Sequence, residues 1–110
     1  MKRLLGWGAW ACLPTLAVLS LLPKDEMVRT GADGRIEHFV AYAGTTALFA
    51  LAYGERVGVA WLAAAIAGYA ALLECGQTFA PGRTPGLGDW AAGAIGAVAA
   101  AIAYAAVRRR

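Results

Sequence analysis

A small set of polar side chains could form a chemical site in this otherwise apolar chain. The six residues are His38, Tyr42, Glu74, Gln77, Arg83 and Asp89. Imidazole exchanges a proton near physiological pH, and a carboxylate can act as an acid or a base. A guanidinium can bind a carboxylate or a phosphate through two parallel hydrogen bonds. These residue types therefore suit acid–base chemistry or the binding of a charged group.

Several other kinds of site are not supported by the sequence. The chain contains a single His, which excludes a conventional multi-His metal site, and Cys12 and Cys75 occupy separate apolar segments without metal-ligand spacing. We therefore predict no metal ion and no cofactor. The net charge is +3, but no basic surface with interleaved aromatic residues is present, so nucleic acid is not expected as a partner.

The composition indicates which solvent surrounds the chain. Hydrophobic residues make up 60% of its 110 residues and charged residues 15%, against roughly a quarter charged in soluble domains. A water-soluble chain of this size could not bury so much apolar surface. Backbone groups in lipid must be satisfied within helices or closed barrels, and no alternating pattern supports a barrel. The sequence therefore predicts an all-α integral membrane protein.

Four apolar segments are predicted to be transmembrane helices of one domain that covers residues 1–110. They span approximately residues 4–22, 37–53, 57–77 and 89–107. Charged residues in 23–35, the turn Gly54-Glu55-Arg56 and the Pro- and Gly-rich stretch 81–86 separate them. Asp89 opens the last segment, where an N-cap role is the simplest explanation. Trp residues near the segment ends suit an interfacial belt: Trp7, Trp10, Trp61 and Trp90.

Small residues predict close packing of the last two helices, because they let helix backbones approach one another. In the last helix these are Gly93 and Gly96, with Ala92, Ala97 and Ala100 nearby. In the third helix they recur as Ala60, Ala64, Gly68 and Ala71. The same residues leave open whether the bundle also forms a homo-oligomer.

The distribution of Lys and Arg predicts the orientation. With four spans, both termini share one side with the Glu55-Arg56 turn. That side carries six of the ten basic residues, namely Lys2, Arg3, Arg56, Arg108, Arg109 and Arg110. Both termini are therefore predicted to be cytoplasmic, and the six candidate site residues to meet at the outer rim. Ionisable residues at membrane depth are costly and usually face an interior or a water-filled cavity.

At these residues the chain resembles the VanZ-like membrane protein family, named for a determinant of resistance to the glycopeptide teicoplanin. The resemblance rests on Arg35-Ile36-Glu37-His38-Phe39 with Tyr42, on Glu74-x-x-Gln77-x-Phe79-x-Pro81-Gly82-Arg83, and on Asp89 with Gly96. It implies a four-helix membrane protein with a role in the envelope or in antibiotic resistance. The family usually has Asp-Lys where Gly34-Arg35 stands and Asn where Gly93 stands, so a role for that amide is not carried over.

The leading hypothesis is a protein of the bacterial cytoplasmic membrane whose outer rim binds a lipid-linked envelope precursor or a lipoglycopeptide. Glu74, His38 and Arg83 would contact the ligand, while Tyr42, Gln77 and Asp89 would orient them. One alternative is a membrane hydrolase or transferase, with Glu74 or His38 as acid or base and Arg83 stabilising developing charge. Another is a structural role, in which the polar residues hold helix ends together and a partner carries the function. Transport is least favoured, since no charge lies mid-span.

Overall fold

The computed structural model describes residues 2–21, 34–79 and 87–108, which form four α-helices. They are α1 (Lys2–Leu21), α2 (Gly34–Tyr53), α3 (Val59–Gln77) and α4 (Leu87–Arg108). Each helix corresponds to one predicted segment, so the all-helical fold is confirmed for these residues. Helices α2 and α4 begin earlier than predicted. Charged residues do not stop a helix, and Arg is a good helix former, so α2 continues back from the predicted start at Glu37 through Arg35.

Three of the described helices are long and apolar enough to cross a membrane, over Arg3–Leu21, Val59–Gln77 and Leu87–Arg108. At 1.5 Å per residue, helices of this length rise about 30 Å, which matches the hydrocarbon thickness of a bilayer. Large apolar side chains such as Leu4, Trp61 and Ile102 lie exposed on the outside of the bundle. Exposed apolar side chains on such helices are typical of a protein surrounded by lipid.

Helix α2 is 20 residues long but less apolar than the other three. Arg35, Glu37 and His38 occupy its first turns, and Thr45 and Thr46 lie near its middle. The two threonines are only 3% and 0% exposed. The polar residues of α2 therefore lie at one end of the helix or inside the bundle, rather than in the middle of its outer surface.

The most extensive contact in the bundle joins α2 to α4. Gly96 of α4 lies directly against the α2 backbone: a Cβ atom there would collide with the Phe39 carbonyl oxygen and lie 3.1 Å from the Phe39 Cα. Gly93, one turn earlier, lies beneath the Tyr42 ring, with only 2.8 Å between a Cβ position and the ring atom Cδ2. The prediction that small residues of the last helix allow close packing is confirmed.

The same prediction is wrong for α3. Ala60, Ala64 and Gly68 are exposed, and the buried residues of this helix are instead Ala63, Ile66, Ala70, Leu73 and Gln77. Alanine occurs all around α3, so its spacing does not distinguish one side of the helix from another. The larger Ile66 and Leu73 determine which side packs inward, because they bury more apolar surface.

Hydrogen bonds between helices fix their relative positions. The Trp90 indole N–H of α4 donates to the Ala67 carbonyl of α3 at 2.9 Å, and the Tyr69 hydroxyl of α3 donates to the Leu13 carbonyl of α1. Trp90 is therefore a half-buried contact between α3 and α4, unlike the exposed Trp7, Trp10 and Trp61. The Trp90 indole N–H is thus used between two helices, and the interfacial belt stays a prediction for all four Trp residues.

The short α2–α3 connection lies at the opposite end of the bundle from the candidate site. Gly54 N–H donates to the Ala50 carbonyl at 2.7 Å, which confirms the predicted turn. Glu55 pairs with Arg108 at the end of α4, with 2.7 Å between Oε1 and Nη2. The predicted Arg-rich end is thus assembled from the α2–α3 turn and the C-terminal end of α4.

Candidate functional site

The end of α1, the start of α2, the end of α3 and the start of α4 come together at one end of the bundle. This follows from the alternating direction of consecutive helices joined at their ends. Helix α1 contributes Ser20, α2 contributes His38 and Tyr42, α3 contributes Glu74 and Gln77, and α4 contributes Asp89. Arg83 lies outside the described residues, so its position near Glu74 stays a prediction. The other five predicted site residues all occupy this end.

His38 and Glu74 form the centre of this polar cluster. The His38 Nε2 atom lies 3.7 Å from Glu74 Oε1, and the two side chains are 22% and 12% exposed. When the imidazole is protonated, this distance allows an ion pair within a partly desolvated environment, where charges interact more strongly than in water. The His38 ring stacks on the Tyr42 ring, with 6.1 Å between centroids and 27° between planes. The stacking holds the imidazole beside the carboxylate.

Asp89 joins the pair from a third helix. One donor atom from each of His38, Glu74 and Asp89 lies within 4.8 Å of the other two, and all three residues are half-buried. Helix α4 begins at Leu87, so Asp89 lies in its first turn rather than at the predicted N-cap. A carboxylate in the first turn is still favourable there, because it lies near the positive end of the helix dipole.

Tyr42 and Gln77 lie beneath the surface of the cluster, each only 3% exposed. A side-chain hydrogen bond joins Tyr42 to Ser20 of α1. The Tyr42 ring rests on Gly93, where any side chain would meet it at 2.8 Å or less. Glycine at position 93 therefore gives the Tyr42 ring the space that a larger side chain would occupy.

A cationic side chain lies at the rim of the cluster. The Arg35 guanidinium covers Gly88, where a Cβ atom would lie 2.7 Å from one of its terminal nitrogens. Gly88 precedes Asp89 in the first turn of α4, so Arg35 brings positive charge close to the acidic residues. Glycine at position 88 permits this close approach, which no local sequence pattern indicates.

Two open clefts lie away from the polar cluster. One, of about 620 Å³, is lined by residues that include Arg3, Trp10 and Tyr53, near the opposite end of the bundle. The other, of about 430 Å³, lies between α1, α2 and α3 and is lined mainly by apolar residues such as Ile66. Apolar grooves between membrane helices are surfaces where lipid chains can lie. Half-buried ionisable residues at one helix-bundle end are the stronger indication of function.

Sequence reasoning missed Ser20 as a partner of the cluster. Its hydroxyl is one of few polar groups near the end of the first apolar segment, and that position was the available signal. No family model, no curated protein and no solved structure matches the chain. The resemblance to the VanZ-like family therefore stays a prediction that rests on the residues quoted for it.

Proposed function

We propose that this chain is a four-span protein of the bacterial cytoplasmic membrane, with both termini in the cytoplasm. The Lys and Arg distribution supports this orientation. Among the four helices, α2 has the hydropathy that gives the weakest support for a membrane span. Its extensive contact with α4 and the burial of Thr45 and Thr46 support a membrane-crossing position beside α4. The polar cluster then faces the outer surface of the membrane.

The function that the geometry supports best is binding of a polar or charged group of a lipid-linked envelope component. The observation that carries this proposal is the convergence of His38, Glu74 and Asp89 from three helices at one end of the bundle. These groups can donate to, or accept from, a headgroup at the rim, while Arg35 supplies positive charge for an anion. The resemblance to VanZ-like proteins supports a lipid-linked precursor or a lipoglycopeptide as ligand.

Binding of purified protein in lipid nanodiscs to undecaprenyl-linked lipids and to lipoglycopeptides tests this function. We expect Glu74→Gln to weaken binding by about tenfold or more, because a hydrogen bond to a charged group contributes about 1.5–3 kcal/mol. Glu55→Gln makes the same chemical change at the opposite end and should bind as wild type. No binding by the wild-type protein, or equal binding by Glu74→Gln, would contradict the proposal.

The enzyme alternative is favoured by one observation, the closeness of an imidazole and two carboxylates that could exchange protons. A panel of lipid-phosphate and lipid-peptide substrates would distinguish it from binding. Product formation that is lost in His38→Ala, while the folded protein still binds the substrate, would establish catalysis.

The structural alternative predicts a different result for the same variants. If the cluster only holds helix ends together, Glu74→Gln should reduce the amount of folded protein recovered from the membrane. Under the proposed binding function it should leave folding nearly unchanged and weaken ligand binding. Size-exclusion profiles and thermal midpoints of Glu74→Gln and Glu55→Gln, measured side by side, separate the two.

A further inference from the structure

The polar cluster presents a set of donors that metal ions commonly use. His38, Glu74 and Asp89 come from three different helices and offer one imidazole nitrogen and two carboxylate oxygens within 4.8 Å of one another. We propose that these three residues bind a divalent first-row transition-metal ion, such as Zn²⁺ or Mn²⁺. A single His excludes a multi-His site, but it is compatible with one nitrogen ligand and two oxygen ligands.

The distances are close to those that coordination requires. Ligand atoms that share an ion at about 2.0–2.2 Å lie about 3.3–3.6 Å apart in a tetrahedral site. His38 Nε2 and Glu74 Oε1 are 3.7 Å apart. Since the three donor atoms are all within 4.8 Å, the Asp89 carboxylate needs to move by only about 1 Å, which a side-chain rotation can provide.

The charges also match a divalent cation. Two ionised carboxylates and a neutral imidazole carry two negative charges together, which one M²⁺ ion neutralises, while the Arg35 guanidinium lies at the rim over Gly88. Imidazole favours Zn²⁺ and similar ions, while carboxylate oxygens favour harder ions such as Mn²⁺, so this mixed set suits either of the two. The partial burial of all three residues strengthens the attraction, because fewer water molecules screen it.

The imidazole is oriented by its surroundings, as the imidazole of a metal ligand usually is. The His38 ring stacks on Tyr42, which is itself held by Gly93 below it and by the hydrogen bond to Ser20. Three protein ligands leave at least one coordination position for water or for an anionic oxygen. If a lipid-linked phosphate fills that position, a step that rests on the proposed function, the metal would form part of the ligand-binding site.

Metal binding can be measured without any lipid-linked ligand. Protein purified with a tag that contains no His, stripped with EDTA and then dialysed against Zn²⁺ or Mn²⁺, should retain one ion per chain. Glu74→Gln and Asp89→Asn keep the side-chain volumes and remove one charged ligand each. We expect each to weaken binding by at least about tenfold, since even residues that only support metal ligands contribute about 10–100-fold.

Glu37→Gln is the matched control, because Glu37 lies beside His38 in the chain but outside the three-residue cluster. It should bind the metal as wild type. Circular dichroism and size-exclusion profiles establish that each variant is folded. If either variant does not fold, an EDTA-reversible rise in the wild-type thermal midpoint on adding Zn²⁺ or Mn²⁺, absent in folded His38→Asn, supports the site.

Two results would overturn the metal site. One is a folded wild-type protein that retains neither ion, and the other is retention of the ion by Glu74→Gln and Asp89→Asn to the same extent as by wild type. Measuring lipid-ligand binding in EDTA and metal retention separately distinguishes a wrong metal site from a wrong proposed function. Lipid-linked ligands that bind equally well in EDTA would leave the proposed function standing without a metal. Metal retained by a protein that binds no such ligand would leave the metal site standing alone.

Discussion

Replacing Gly96 with alanine should destabilise the folded bundle by about 1–3 kcal/mol, the range found for overpacked interiors. The added Cβ would collide with the Phe39 carbonyl oxygen, and it would lie 3.1 Å from two further backbone atoms of Phe39. A backbone cannot rotate out of the way as a side chain can, so α2 and α4 would have to separate. Because this is the most extensive contact in the bundle, the separation would loosen the fold. Thermal or denaturant unfolding in detergent measures the loss.

Gly44→Ala and Gly68→Ala are matched controls with the opposite expected sign. Both glycines lie within helices, and apart from the chain neighbours and the local backbone of the same helix no described atom lies within 4 Å of a Cβ built at either position. Alanine in a helix is favoured over glycine by about 0.5–1 kcal/mol, so these variants should be as stable as wild type or more so. If Gly96→Ala were as stable as they are, the close approach of α2 and α4 would be refuted.

The loss of stability in Gly93→Ala should lie between that of Gly96→Ala and that of the two control variants. The obstacle there is the Tyr42 ring at 2.8 Å rather than backbone. A ring can tilt, so Gly93→Ala should cost less than Gly96→Ala. The tilt would also move the ring on which His38 stacks, and therefore it should reach the polar cluster.

The helices and their number could be predicted from sequence, but the packing order could be predicted only in part. Apolar length and polar interruptions are properties of single segments, and they located all four helices of the described residues. Gly93 and Gly96 correctly indicated a close contact, but small residues permit an approach without specifying the partner. The choice of α2 as that partner depends on Phe39 and Tyr42 lying opposite the glycines. In α3 the alanines were so frequent that their spacing carried no directional information.

The candidate site was predictable to the extent that it depends on which helix ends meet. Alternating helix direction places His38, Glu74 and Asp89 at the same end of the bundle, whatever the details of packing. Their separation of a few ångströms could not be predicted, because it depends on the rotation of each helix about its axis. That rotation is set by contacts such as the indole hydrogen bond of Trp90 to α3, which no local pattern reveals.

The second large effect concerns which side of the membrane each end of α3 faces. Gly58 precedes this helix and Thr78 follows it, and both are exposed. A cysteine fits at either position: apart from its chain neighbours, the nearest described atom to a Cβ at Gly58 is 3.8 Å away, and threonine and cysteine are similar in size. In a background with Cys12→Ala and Cys75→Ala, each variant then carries one thiol. A helix with this length and composition should place the two thiols in different compartments.

We therefore expect a membrane-impermeant maleimide to label Thr78→Cys in intact cells and to label Gly58→Cys only after the membrane is permeabilised. The expected difference is nearly all or none, because the hydrocarbon core blocks a charged reagent. The reverse pattern would keep α3 as a span but invert the orientation, which would place His38, Glu74 and Asp89 on the cytoplasmic side. Labelling of both thiols in intact cells would show that α3 does not cross. The polar cluster can bind an extracytoplasmic ligand only if Thr78→Cys is labelled in intact cells, since Thr78 follows the end of α3 that carries Glu74.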